Sequence, residues 1–286
     1  MDIIDPHLHL FSLEQGQYDW LKPTNPPYWS DKNKINRNFS QQDLSLAPEQ
    51  TLVGFVHIEA GFDNAHPWRE LDWLEQDCSL PFKSVAGGDL TREDFPSLLS
   101  KLQTRSSLIG FRHILDEEAN TLLSSAVFQQ NLSLLAQHRL SFDAQFSLQD
   151  ECATQALCNI LDTLPQLRVI INHGGWPPAA KKNKAWQQWY RQLSKLAQYP
   201  NVAIKLSGWE MPNRTYTPDD LLLCLTACLQ TMGDKRVMLA SNFPLTLFRC
   251  SYAELWQTYA QKLGLSESLK TLLFCDNSLF WYRFKD

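Results

Sequence analysis

Residues 108–146 read LIGFRHILDEEANTLLSSAVFQQNLSLLAQHRLSFDAQF, and this stretch decides the fold. It opens on one apolar run, 108–114, and closes on another, 140–146. Between them Leu122, Leu123, Val127, Leu132, Leu135 and Ala136 recur at helical spacing, the stripe of a helix lying on a core. Short apolar runs separated by helical segments read as strands buried on both faces. Two of them flanking a helix read as a parallel strand–helix–strand unit.

The same rhythm extends in both directions. Apolar runs occupy 52–58, 83–87, 168–172, 202–206 and 236–240, with helical periodicity over about 67–78, 92–104, 120–138, 149–163, 184–199, 217–232 and 251–262. A run at 2–9 adds a first strand, and a helical tail covers about 266–284. Eight parallel strands, each followed by a helix or long connection, predict a (β/α)₈ barrel of the TIM type, one domain over 1–286. An open doubly wound sheet is the competing reading, but neither G-x-G-x-x-G nor G-x-x-x-x-G-K-[ST] occurs. One segment breaks the rhythm. Residues 12–38 carry Tyr18, Trp20, Pro23, Pro26, Pro27, Tyr28 and Trp29, too long for an ordinary connection, and predict a lid over the barrel mouth.

Composition narrows the function. The 286 residues are 44% hydrophobic and 20% charged, which excludes intrinsic disorder. A net charge of −5 argues against a nucleic-acid partner. No apolar run is long enough for a membrane span, and the first residues lack a signal peptide's basic and apolar regions. The seven cysteines form no C-x-x-C pair, and Cys224 and Cys228, four apart on an expected helix, read as small buried hydrophobes. The expectation is a cytoplasmic protein acting on a small molecule. Ten tryptophans leave two readings open, a walled pocket or plain packing.

In such a barrel the chemistry lies where strands end. Strand 1 ends in His7 and His9, two apart and therefore on one face, where two imidazoles can converge on a cation or a substrate oxygen. Strand 2 carries His57, which reads as inward-facing and more readily as a hydrogen-bonded core histidine, and Glu59. Strand 3 leads to Asp89, strand 4 to Arg112 and His113, and strand 5 to Asp143 and Gln145. Strand 6 runs into His173 before two glycines and Trp176. Strand 7 carries Lys205 and leads to Trp209 and Glu210, and strand 8 to Asn242. Arg112 suits a carboxylate clamp or a rim ion pair, and Trp176 and Trp209 suit the walls of a mouth.

Taken together, "IDPHLHLF", "GFRHILDEE", "VIINHGGWP", "NVAIKLSGWEMP", "RVMLASNFPL" and "LFCDNSLFWYRF" resemble the amidohydrolase-related (amidohydrolase 2) family. The likeness is to its L-fuconolactonase-like and 2-pyrone-4,6-dicarboxylate lactonase-like branch, and it covers residues 3 to about 284. It implies a distorted barrel that hydrolyses a small polar lactone, either of a sugar acid or carboxylated, or a related ester. It further implies that His7, His9 and His173 hold a divalent ion or the substrate carbonyl, and that Arg112 holds a substrate carboxylate. His113, His57, Trp176, Trp209 and Lys205 complete the expected substrate surround. The family's G-S-D-W-P appears here as Ala240-Ser241-Asn242-Phe243-Pro244. Asn242 can orient water but can neither take its proton nor supply charge to a metal. Any Zn²⁺ or Mn²⁺ is therefore expected to be weakly held or absent, and Glu59, then His173, is the expected base. The rival readings are a non-catalytic binding protein on the same barrel and a decarboxylase-type lyase.

Overall fold

The computed structural model describes residues 1–178 and 183–285. Its described residues form one parallel sheet in the order β1 to β8. The strands are β1 Asp2–Leu8, β2 Thr51–Ile58, β3 Phe82–Gly87, β4 Leu108–Ile114, β5 Ser141–Gln145, β6 Val169–Ile171, β7 Val202–Leu206 and β8 Val237–Leu239. The ring closes through one bridge, Leu8 to Phe243, and through Asp5. Its carboxylate accepts from the Ser241 amide at 3.1 Å and from the Ser241 hydroxyl at 2.5 Å. The β1–β2 register slips between Asp5 and Leu8, where Pro6 has no N–H to give the ladder.

Outside lie α1 Trp68–Asp77, α2 Phe95–Leu102, α3 Ala119–Ser124, α4 Ala126–Gln137, α5 Glu151–Thr163, α6 Lys184–Leu196, α7 Pro218–Met232 and α8 Tyr252–Lys262. The single helix expected over 120–138 is two. Ser125 is extended (φ −73°, ψ 130°), and its hydroxyl caps α4 by accepting from the Phe128 amide. The tail is α9 Glu267–Thr271, a π turn over Leu272–Asp276, and α10 Asn277–Trp281. It stops the N-terminal end of the barrel. Trp281 and Tyr282 pack with Val56, Ile58, Val85, Ile170, Ala203 and Met238, and the Tyr282 hydroxyl donates to Asp143 at 2.9 Å. Only the opposite end remains for chemistry.

The segment 12–38 is packed in place. Tyr18, Leu21 and Ile35 are buried, and the buried Lys32 ammonium donates to the carbonyls of Trp20, Lys22 and Asn25. Asp31 pairs with Arg214 beyond β7 at 3.1 Å, and Trp29 meets Phe248 beyond β8 edge-on at 5.5 Å. None of the described helices is long and apolar enough to cross a membrane.

Candidate active site

Three imidazoles meet at the C-terminal end of the barrel. The His7 ring lies 5.2 Å from that of His9 and 4.6 Å from that of His173, centre to centre. All three are buried. Burial, reinforced by the positive charges of Arg112 and Lys205, holds His7 and His173 neutral well below the usual histidine range. Burial and Arg112 do the same to His9. The His9 Nδ1 donates to the Ile58 carbonyl at 2.7 Å, which leaves its Nε2 as an acceptor. The His173 Nδ1 is bonded to the Ser207 hydroxyl at 3.1 Å. Among the described residues neither ring nitrogen of His7 has a partner, and the side-chain amide of Asn172, which precedes His173, is likewise buried and unpartnered.

The backbone is strained where it delivers these groups. His173 and Trp176 (φ 53° each) are left-handed, which costs a bulky L-residue about 1–2 kcal/mol, and Asn242 (φ 57°) shares that conformation, which asparagine adopts more readily. The β6 turn holds this shape because the Trp189 indole donates to the Gly174 carbonyl and the Leu148 amide to that of Gly175. The Trp176 ring then lies over His173 at 4.7 Å. Gly208 (φ 69°) is required by the approach, since a Cβ there would sit 2.5 Å from His173 Nδ1.

The cations are already partnered. Arg112 gives its Nε to Glu59 Oε1 at 2.8 Å, its Nη2 to the Glu59 carboxylate and carbonyl, and its Nη1 to Gln145 at 3.1 Å. Of the two roles foreseen for Arg112, the geometry builds the ion pair and leaves little of the fork for a ligand. Glu59, the expected base, is Arg112's counter-ion. Lys205 is fully buried beneath the imidazoles, 2.5 Å from Asp143, and burial pulls its ammonium down to about 8 against that pairing.

Two foreseen residues leave the cluster. His57 faces α1, not the interior: its Nε2 meets Glu70 at 3.0 Å and its Nδ1 accepts from the Leu10 amide, while its neighbours Val56 and Ile58 point inward. His113 is likewise turned outward, accepting from the Leu90 amide at 3.1 Å and packing against Phe128 of α4.

Beside His173 opens a cleft walled by Trp176, Trp186, Trp209, Pro212 and Tyr216. Trp209 is fixed by donating to the Tyr259 hydroxyl at 2.7 Å. Glu210, noted in the sequence only as a strand-end residue, is given no role there. It is fully buried, its Oε1 accepts from the Asn242 amide at 2.6 Å, and its Oε2 has no partner. Burial pushes its carboxyl up to about 7. The signal lay in Ser207-Gly208-Trp209-Glu210, where a carboxylate follows directly on the strand-end residues that line the cleft.

Neutral imidazoles with free nitrogens are zinc-type donors. Yet among the described residues no group of three or more His, Cys, Asp or Glu is arranged to hold a metal ion. The Asn242 amide is also committed to Glu210. The residues as placed do not form a preformed metal centre.

The amidohydrolase family profile matches residues 4–284. The chain belongs to the amidohydrolase family. Its relatives include an uncharacterized protein of Sinorhizobium fredii, 30% identical and covering 98% of each chain. Another is the L-fucono-1,5-lactonase of Burkholderia ambifaria, 24% identical over 96% of each. Among solved structures, an amidohydrolase from Burkholderia multivorans with bound zinc superposes with a TM-score of 0.81 at 21% identity, covering 99% of each chain. This amidohydrolase therefore shares that barrel from end to end.

Proposed function

We propose that this amidohydrolase opens the ring ester of a small, uncharged, hydroxyl-bearing lactone. The observation that carries the reading is the pairing of the two described cations whose charge bears on the imidazoles: Arg112 is neutralised by Glu59 and Lys205 by Asp143. A substrate carboxylate would have to displace Glu59. A neutral ring meets instead a wall of tryptophans, whose faces suit the C–H faces of a sugar ring, and beside it buried polar atoms without partners. The lactonase name of the Burkholderia ambifaria relative supports the same reaction class.

In this reading an N–H of neutral His7 donates to the lactone carbonyl as it becomes an oxyanion, in the positive field of Arg112 and Lys205. His173 and Trp176 hold one face of the ring, and His9, an acceptor at Nε2, orients a hydroxyl or water. No step is routed through a metal, and any divalent ion is a weakly held visitor. The test is acid release measured across L-fucono-1,5-lactone, other neutral sugar lactones and 2-pyrone-4,6-dicarboxylate. A preference of at least about tenfold in kcat/KM for the neutral rings is expected. Preference for the dicarboxylate would overturn the choice of substrate class, and no acid release from any of them would favour a binding protein.

A further inference from the structure

Resting on the lactonase reading, we infer that Glu210 is the base that takes the proton from the attacking water and that Asn242 holds it in position. Three observations meet at this pair. Glu210 leaves β7 two residues after Gly208, the glycine on which the His173 ring rests. Its Oε1 is pinned by the Asn242 amide at 2.6 Å, and the backbone amide of Asn242 in turn donates to the His7 carbonyl at 2.8 Å. Its Oε2 is buried and unpartnered, as are both nitrogens of His7. One oxygen is thus fixed and the other free, on a loop tied to two of the three imidazoles.

Glu59 is spent on Arg112. Asp143 shares the pattern of one bonded and one buried, unpartnered oxygen, but its bonded oxygen faces Lys205 and the Tyr282 hydroxyl of the tail that stops the other end of the barrel. Asn242 supplies what an aspartate at that position could not, an N–H donor to the neighbouring carboxylate. Burial that raises the carboxyl to about 7 also suits it to exchange a proton near neutrality.

The step balances. Oε2 of the carboxylate accepts one water proton while the water oxygen bonds to the lactone carbonyl carbon, and the carbonyl π pair moves onto oxygen. When that pair returns, the ring C–O bond breaks and the alkoxide takes the proton back from Oε2. The products are a hydroxy acid, which ionises to release the titrated proton, and the carboxylate as it began.

The test compares the full chain with Glu210→Gln, which keeps an oxygen to accept from Asn242, on L-fucono-1,5-lactone from pH 5 to 9. The expectation is a fall in kcat of at least about 100-fold with KM changed little, and loss of the limb near pH 7 in kcat/KM. A second variant, Glu210→Asp, keeps a carboxylate and should lower kcat while displacing the limb. An unchanged kcat and limb in Glu210→Gln, or an undisplaced limb in Glu210→Asp, overturns the assignment. Absence of turnover in the unaltered chain is a different failure, that of the lactonase reading itself.

Discussion

The side-chain amide of Asn242 lies 2.6 Å from Oε1 of Glu210, and both residues are buried at the end of the barrel that carries the imidazoles. An amide beside a buried carboxylate stabilises it only in part, because burial still outweighs the hydrogen bond. The carboxyl titrates near 7 in the fold against an ordinary 4.5. Between those values the folded chain keeps a proton that the unfolded chain has lost, so stability falls as pH rises through the interval and levels off above it.

That sign yields the first prediction. Glu210→Gln should be more stable than the unaltered chain at pH 8, by an amount on the order of 3 kcal/mol, at about 1.4 kcal/mol per pKa unit. The advantage should vanish near pH 4.5. Thermal unfolding at the two pH values checks it, and a variant destabilised at pH 8 would show that the ionised carboxylate helps hold the fold together.

The second concerns Gly208. Alanine there meets His173 Nδ1 at 2.5 Å and must also hold φ at 69°. Gly208→Ala should cost about 1–3 kcal/mol in denaturant unfolding, and it should lower activity more than its stability loss explains. Retention of wild-type activity would mean that the His173 position is not critical.

The third concerns the Arg112–Glu59 pair. Glu59→Gln leaves a guanidinium buried without its counter-charge, a loss of about 3–5 kcal/mol for a pair this enclosed. The freed fork should then accept a carboxylate. The ratio of kcat/KM for 2-pyrone-4,6-dicarboxylate over a neutral lactone is expected to rise, and a ratio that does not move would detach Arg112 from substrate choice.

The fourth is about metal. Elemental analysis of the purified chain should find well under one zinc per chain, and Asn242→Asp should raise it, since a carboxylate adds the charge that an amide lacks. One tightly held zinc in the unaltered chain would mean that the imidazoles recruit another ligand on binding.

The fifth concerns the segment 12–38. Arg214 pairs with Asp31, donates to the Glu210 carbonyl and stacks on Phe248 at 4.1 Å. Arg214→Ala should speed limited proteolysis between residues 12 and 38 and raise KM. Cleavage at an unchanged rate would remove the proposed role of this segment as a lid.

The barrel was legible because its strands are buried on both faces, so the apolar runs stand out against amphipathic helices. Strand ends located His7, His9 and His173 for the same reason. Which way a strand residue points was harder to read. His57 and His113 each sit one residue out of phase with inward neighbours, and an apolar run buried on both sides carries no alternation to reveal that phase. The break at Ser125 was hidden because the apolar stripe continues across it. Glu210 stood at a strand end, but its burial was hidden because it lies in the loop beyond β7, where no periodicity applies and only the contact with Asn242, distant in sequence, shows it.

The measurement that bears most directly on the central claim is the steady-state release of acid from L-fucono-1,5-lactone, followed for the unaltered chain and for His7→Ala. The account predicts turnover far above the uncatalysed rate and a loss of at least about 100-fold in kcat/KM in a variant that still folds, because His7 donates to the developing oxyanion. Acid release no faster than the uncatalysed reaction, or turnover indifferent to the loss of His7, would contradict it.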